Sequence, residues 1–99
     1  MLFGHRAMLI AERAGRVIGT LIAAWDGWRG NMYALAAAVE ERRSGVGLAL
    51  VRAGEEHLRD CGARRITALV GAEDEGALAL WRAADYAHDR QVSRFVRNL

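Results

Sequence analysis

The chain reads as one mixed α/β domain: a mostly antiparallel sheet, a single βαβ crossover and two main helices. Three observations predict it. Two strand-like runs flank an Ala14-Gly15 turn near the start, a helical apolar period begins at Gly45, and a short apolar run follows that helix closely. The strand before the helix, the helix and the strand after it form the crossover, so those two strands are expected to run parallel, with the right-handed connection that βαβ units take. No repeat, linker or low-complexity segment divides residues 1–99, so a single domain is expected.

Composition narrows the class. A chain of 99 residues, 53% hydrophobic and 26% charged, suits one modest core. It contains no apolar run of about 18 residues, so no membrane span is expected, and Met1 to Arg6 lacks the pattern of a secretion signal. Cys61 is the sole cysteine and has no intrachain partner, which fits a reducing cytoplasm. All 14 basic residues are arginine; with the abundant alanine, this reads as the coding bias of a GC-rich bacterial genome. The formal charge is only +2, and the basic residues are interleaved with acids along the chain. A nucleic-acid partner would call for one concentrated basic face, so none is expected.

The elements follow in order. Ala7 to Glu12 is a short strand, and Ala14-Gly15 turns the chain where glycine accepts positive φ. Arg16 to Trp25 is a second strand, rich in β-branched residues, with Gly19 marking a bulge or close packing. Asp26 to Gly30 carries turn chemistry. Asn31 to Ala38 is read as the third strand, although its alanines would also support a helix; its short length between turn signals decides.

From Gly45 or Val46 to Cys61 the period becomes helical. Gly47, Leu50, Val51, Gly54, Leu58 and Cys61 share one face, and Gly62 is a natural stop. Arg52–Glu56 and Glu55–Arg59 are spaced as i,i+4 ion pairs on the other side. Arg64 to Val70 is a buried-type strand. Asp74 is placed to cap a helix running to about Ala84, and His88 to Arg97 is read as a last strand.

The chemistry concentrates at Arg42-Arg43-Ser44-Gly45-Val46-Gly47. A glycine-containing turn that opens a helix aims several unpartnered N–H groups at one point, and the helix dipole adds partial positive charge there. Two arginines at its mouth suit phosphate oxygens. This is an anion site of pyrophosphate type. Two familiar nucleotide loops are excluded: a Walker loop needs a lysine, and a dinucleotide fingerprint needs glycine where Leu50 stands.

Arg42, Gly45 and Gly47 have the spacing of the acetyl-CoA pyrophosphate loop of the GNAT family of N-acetyltransferases, and the resemblance extends over nearly the whole chain. Arg16-Val-Ile-Gly-Thr resembles the family's third strand, Met32 to Ala37 its fourth, and Ala63 to Thr67 its fifth. Asp74 to Tyr86 is similar to its segment ending in an aromatic after Asn-x-x-Ala. The resemblance implies a truncated GNAT fold and transfer of an acetyl group from acetyl-CoA to an amine of a small molecule or peptide, by direct attack in a splayed gap between two strands. It implies that the backbone of Arg43, Ser44, Gly45, Val46 and Gly47, with Arg42, holds the pyrophosphate. Leu35, Ala36 and Ala37 would take the thioester end, with Asp74 and Trp81 also beside the coenzyme.

Several positions depart from the family pattern. Trp81 stands where a tyrosine often protonates the leaving thiolate, and an indole N–H has no accessible pKa for that task. Asp74 replaces an asparagine, Asp85 a helix-ending glycine and Val39 a proline; Tyr86 occupies a core aromatic position. Glu40, Glu41 and Tyr86 are the remaining acid–base candidates, the glutamates acting through water; the bland reading of each glutamate is a solvated carboxylate. The family's first strand and two helices have no counterpart before Ala7. That leaves the first strand as an open edge and implies a homodimer covering it; a shortened gene product is the competing reading. A catalytically degenerate coenzyme-A-binding module is the alternative function.

Other reactive residues read as structural. Cys61 lies on the apolar helix face and His57 beside it, and Trp25, Trp28 and Trp81 suit core or interface. His5, His57 and His88 have no metal-ligand spacing, so no metal is expected.

Overall fold

A computed structural model describes residues 5–38, 41 and 44–99. The chain forms β1 (His5–Arg13), β2 (Arg16–Trp25), β3 (Gly30–Ala37), α1 (Val46–Cys61), β4 (Ile66–Ala68) and α2 (Glu75–Ala83). One four-stranded sheet has the order β1-β2-β3-β4. β1/β2 and β2/β3 are antiparallel, while β3/β4 is parallel and flanks α1, as the crossover reading expected.

Local chemistry sets the turns. Ala14 and Gly15 both take positive φ between β1 and β2. Between β2 and β3, Asp26 Oδ1 accepts from the backbone N–H of Trp28 at 2.8 Å and of Arg29 at 2.6 Å. Those bonds hold the Asp26 carboxyl below its ordinary range. The alanines of the third strand are settled as strand: β3 is paired to β2 along its length and to β4 at its start.

Both helices pack on one face of the sheet. Strand alternation turns Leu9, Leu21 and Ala23 toward the helices. Val46, Leu50, Val51 and Leu58 of α1 meet Ile18, Leu21, Ala23 and Met32 in the buried core, joined by Trp81 and Ala84 from the α2 end. Glycines set the depth of this contact. A Cβ on Gly54 would lie 2.7 Å from the Met32 sulfur, and one on Gly19 would lie 2.8 Å from Val46 Cγ1 and 3.2 Å from the Ala36 carbonyl oxygen. Gly19 therefore marks close packing, and a register break lies beside it, between Ala11 and Glu12 on β1. Gly47 performs the same service between helices, since its Cβ would meet Leu80 Cδ2 at 2.9 Å. On the opposite sheet face Met8 and Ile10 stay exposed.

Four expectations are corrected. His88 to Arg97 forms no strand: Val92, Phe95 and Val96 are 70%, 93% and 76% exposed, and no sheet edge pairs with them. The expected strand Arg64 to Val70 shrinks to Ile66–Ala68, because only Gly30 to Met32 of β3 lie alongside it. The apolar face of α1 gains Val46, while Gly47 and Cys61 are half-buried. Arg52 pairs with Glu55 at 2.9 Å, an i,i+3 bond, instead of Glu56. Among the described residues no helix is long and apolar enough to cross a membrane.

The close approach at Gly54 gives a direct test. Gly54→Val must displace the buried Met32 and Leu21 side chains. Urea unfolding should show a loss of about 1–3 kcal/mol, the usual range for overpacking.

Candidate functional site

The site is built where β3 and β4 part. Their ladder runs from Gly30↔Ile66 to Met32↔Ala68, closes with Leu69 N–H donating to the Met32 carbonyl at 3.0 Å, and stops. β3 continues for five more residues, to Ala37, with β2 on one side only. Beyond Met32 the other edge of β3 therefore faces a gap.

A bulge enriches that edge. Thr20 is opposite Ala36 and Ile22 opposite Tyr33, so Ala34 and Leu35 together stand opposite Leu21 alone. Ala34 has φ 54, a left-handed conformation that L-residues seldom adopt inside a strand. Ala38 N–H donates to the Ile18 carbonyl at 2.8 Å, which turns Ala36 and Tyr33 toward β2 as well. By the same alternation Ala37 turns its backbone polar groups to the gap side, and the Ala34–Leu35 bulge lies on the stretch that β4 does not pair.

The start of α1 lies at the same end of the sheet, where a Cβ on Gly19 would touch both Val46 and the Ala36 carbonyl. Gly45 is the N-cap residue at φ 89, with no side-chain cap and no acidic residue in the first turn. No acidic residue of the first turn offsets the positive end of the helix dipole. A Cβ on Gly45 would meet nothing within 4 Å, so the turn is open to a ligand. Ser44 is tied into the turn, its N–H donating to the Glu41 carbonyl at 3.2 Å and its hydroxyl donating to the same oxygen. Arg42, Arg43 and Glu40 lie outside the described residues.

The other expected site residues are occupied elsewhere. Glu41 is bound by Arg13 Nη1 at 2.5 Å, so its carboxylate is turned to the β1–β2 hairpin. Asp74 caps α2, accepting from Ala77 N–H at 3.0 Å. Trp81, set against the coenzyme by resemblance, is only 5% exposed and packs edge-to-face on Tyr86 with ring centroids 4.9 Å apart. Tyr86 donates its hydroxyl to Glu55 Oε2 at 2.7 Å, and Arg52 Nη1 binds Glu55 and also the Ala84 carbonyl at 3.2 Å. Burial, and then that hydrogen bond, raise the Tyr86 pKa well above the ordinary phenol value. Glu55 lies nine residues into α1, about 14 Å along the axis from its start, so this cluster is a latch between α1 and the end of α2. Cys61 and His57 sit one helical turn apart, with Sγ and Nε2 at 3.9 Å. Trp28 is exposed with Arg29 stacked on it at 3.9 Å. Among the described residues no group of three or more metal-ligating side chains converges.

Sequence reasoning named Leu35 and Ala37 but missed Ala34. Its left-handed backbone carries no composition signal, since alanine fits any strand or helix.

Comparison with known proteins decides the family. The profile described as the Acetyltransferase (GNAT) family matches residues 2–86. The chain belongs to this family. Among curated relatives, an acetyltransferase of Photorhabdus laumondii subsp. laumondii is 31% identical over 85 residues, covering 86% of this chain and 59% of its own. An acetyltransferase of Sodalis glossinidius is 30% identical over 78 residues, covering 79% and 55%. The GNAT chain described here thus spans less than two thirds of either relative. Its fold is similar to that of aminoglycoside N-acetyltransferase AAC(6')-Iy in complex with CoA, with a TM-score of 0.84 at 17% identity over 96% of this chain and 78% of the other. The same enzyme in complex with a bisubstrate analogue gives 0.83, also at 17% identity, over 96% and 71%.

The Tyr86–Glu55 latch is separable from the site above. Tyr86→Phe should cost about 1–2 kcal/mol in urea unfolding at neutral pH. A raised folded-state pKa means that the Tyr86 contribution is complete below the unfolded value, near 10.0, and is lost as pH rises past it. Alkaline unfolding should therefore be shallower in Tyr86→Phe than in the parent.

Proposed function

We propose that the chain is an acetyl-CoA-dependent N-acetyltransferase domain that passes the acetyl group to a primary amine by direct attack. The observation that carries this is the bulged, unpaired edge of β3 at the same end of the sheet as the open helix N-terminus at Gly45. An extended thioester with a pyrophosphate at its far end matches both parts. Family membership and neighbours crystallised with CoA or a CoA analogue support the same reading.

In this reading the N–H groups of Gly45, Val46 and Gly47, with Arg42 and Arg43, hold the pyrophosphate, while the Ser44 N–H stays with the Glu41 carbonyl. The free edge of β3 at Leu35 and Ala37 pairs with the amide-bearing arm, as an added strand would, while Ala36 between them keeps its polar groups on β2. Acetyl-CoA supplies the activated acyl group. An N–H from the Ala34–Leu35 bulge stabilises the carbonyl oxygen as charge builds on it, and the gap orients the amine against the carbonyl carbon. Of the two glutamates expected to remove the amine proton through water, Glu41 is held by Arg13, so that role falls to Glu40. Tyr86 is committed to Glu55 and Trp81 to the core, so the thiolate takes its proton from solvent or from the attacking amine.

A coenzyme-binding module without turnover is the second reading. It is favoured by one observation: Glu41 and Tyr86 both spend their side chains away from the gap. The acceptor is a small-molecule or peptide amine, with aminoglycosides first in any panel because the structural neighbours act on them. The chain is further proposed to dimerise through the open edge of β1, at one end of the sheet order.

Calorimetric titration with acetyl-CoA and CoA, followed by thiol release over the amine panel, tests these readings. Binding with release supports the enzyme, binding without release supports the module, and no binding removes both. Gly45→Val should abolish coenzyme binding, because a β-branched residue is strained at φ 89 and its side chain fills the ligand space; unchanged affinity would show that the turn holds no ligand. Light scattering after size exclusion at micromolar concentration should give twice the chain mass, and a clean monomer contradicts the dimer.

A further inference from the structure

The opposite end of α1 carries a second cationic hollow. Arg59 in the last helical turn, Arg64 and Arg65 in the connection to β4, and Arg52 and Tyr86 together line a depression of about 620 Å³. The lining holds four arginines against two carboxylates, Glu55 and Asp85. Glu55 is already neutralised, its two oxygens each 2.9 Å from Arg52 Nη1, with Oε2 also accepting from Tyr86. Arg65 reaches Asp89 only at 3.6 Å, with the arginine side chain 81% exposed. Among the described residues Arg59 and Arg64 have no carboxylate partner within ion-pair distance.

Helix electrostatics explain one of these arginines and not the rest. A cation in the last turn offsets the negative end of the helix dipole, which accounts for Arg59. Arg64 and Arg65 lie beyond Gly62, whose N–H already caps the Arg59 and Leu58 carbonyls. The uncompensated charge therefore gathers around the hollow instead of being dispersed.

We propose that this hollow binds a compact polyanion of the phosphate class, held by the guanidinium forks of Arg59, Arg64 and Arg65. The geometry of guanidinium suits paired phosphate oxygens, and Ala63, Ile66 and Ala84 add apolar surface to the lining. The site is distinct from the coenzyme turn, because α1 has 16 residues and its ends are about 24 Å apart. It stands or falls independently of the acetyltransferase reading.

The test is a titration of ¹⁵N-labelled protein with inorganic pyrophosphate at constant ionic strength, following the arginine Nε–Hε resonances. Saturable shifts are expected at Arg59, Arg64 and Arg65, with an unchanged midpoint in Gly45→Val. The double variant Arg59→Gln/Arg64→Gln should weaken that midpoint about tenfold or more, as loss of charge-assisted bonds implies. The backbone spectrum of the variant reports whether the fold is intact. Shifts that stay linear with concentration, that are matched by chloride, or that move only the Gly45 turn would overturn the proposal, as would an unaltered midpoint in a folded double variant.

Discussion

The close seating of α1 on β2 and β3 is the constraint on which the rest of the structure depends. Gly19 and Gly54 remove the two Cβ atoms that would hold the helix away, and Met32, Leu21, Val46 and Leu50 close over them. With the helix at that depth, Val46 in its first turn lies against Gly19, the β2 residue paired with Ala37 at the end of β3. The free edge of β3 beyond Met32 and the open N-terminus of α1 at Gly45 both come from this one seating. The chain commits few side chains to either. What it offers a ligand is unpaired main chain and a helix terminus, which is what a long, phosphate-ended substrate needs.

The same seating explains why the acid–base side chains lie elsewhere. Trp81 fills the space between the two helices and Tyr86 closes over it, so both aromatics are structural. Glu55, which would otherwise be a lone carboxylate on α1, is tied up by Arg52 and Tyr86. Glu41 is likewise held by Arg13. Packing is thus well provided by this stretch of the GNAT fold.

Much of this was legible in the sequence, and the reasons are specific. β2 was placed to the residue because Gly15 and Asp26-Gly27 bracket a β-branched run, and α1 because Gly45 and Gly62 punctuate a clear helical period. Asp74 announced its cap. What failed depended on neighbours: β4 is limited by how far β3 stays alongside it, and Val92, Phe95 and Val96 are apolar residues with no edge to join. The arginine pairing failed for a similar reason, since Tyr86 and Ala84 draw Arg52 and Glu55 together across the helices. At the site, glycines and arginines marked the turn, whereas the bulge at Ala34 is a tertiary consequence of α1 and β2 that no alanine can advertise.

The central claim is that the β3 edge and the Gly45 turn act as one binding surface. It is tested most directly by mapping acetyl-CoA onto the backbone amides of ¹⁵N-labelled protein. The account predicts that Leu35, Ala36, Ala37, Gly45 and Gly47 shift together with one saturation midpoint, while Met8 and Ile10 on the far face of the sheet stay fixed. Shifts confined to the turn, or centred anywhere outside this line of residues, would contradict it.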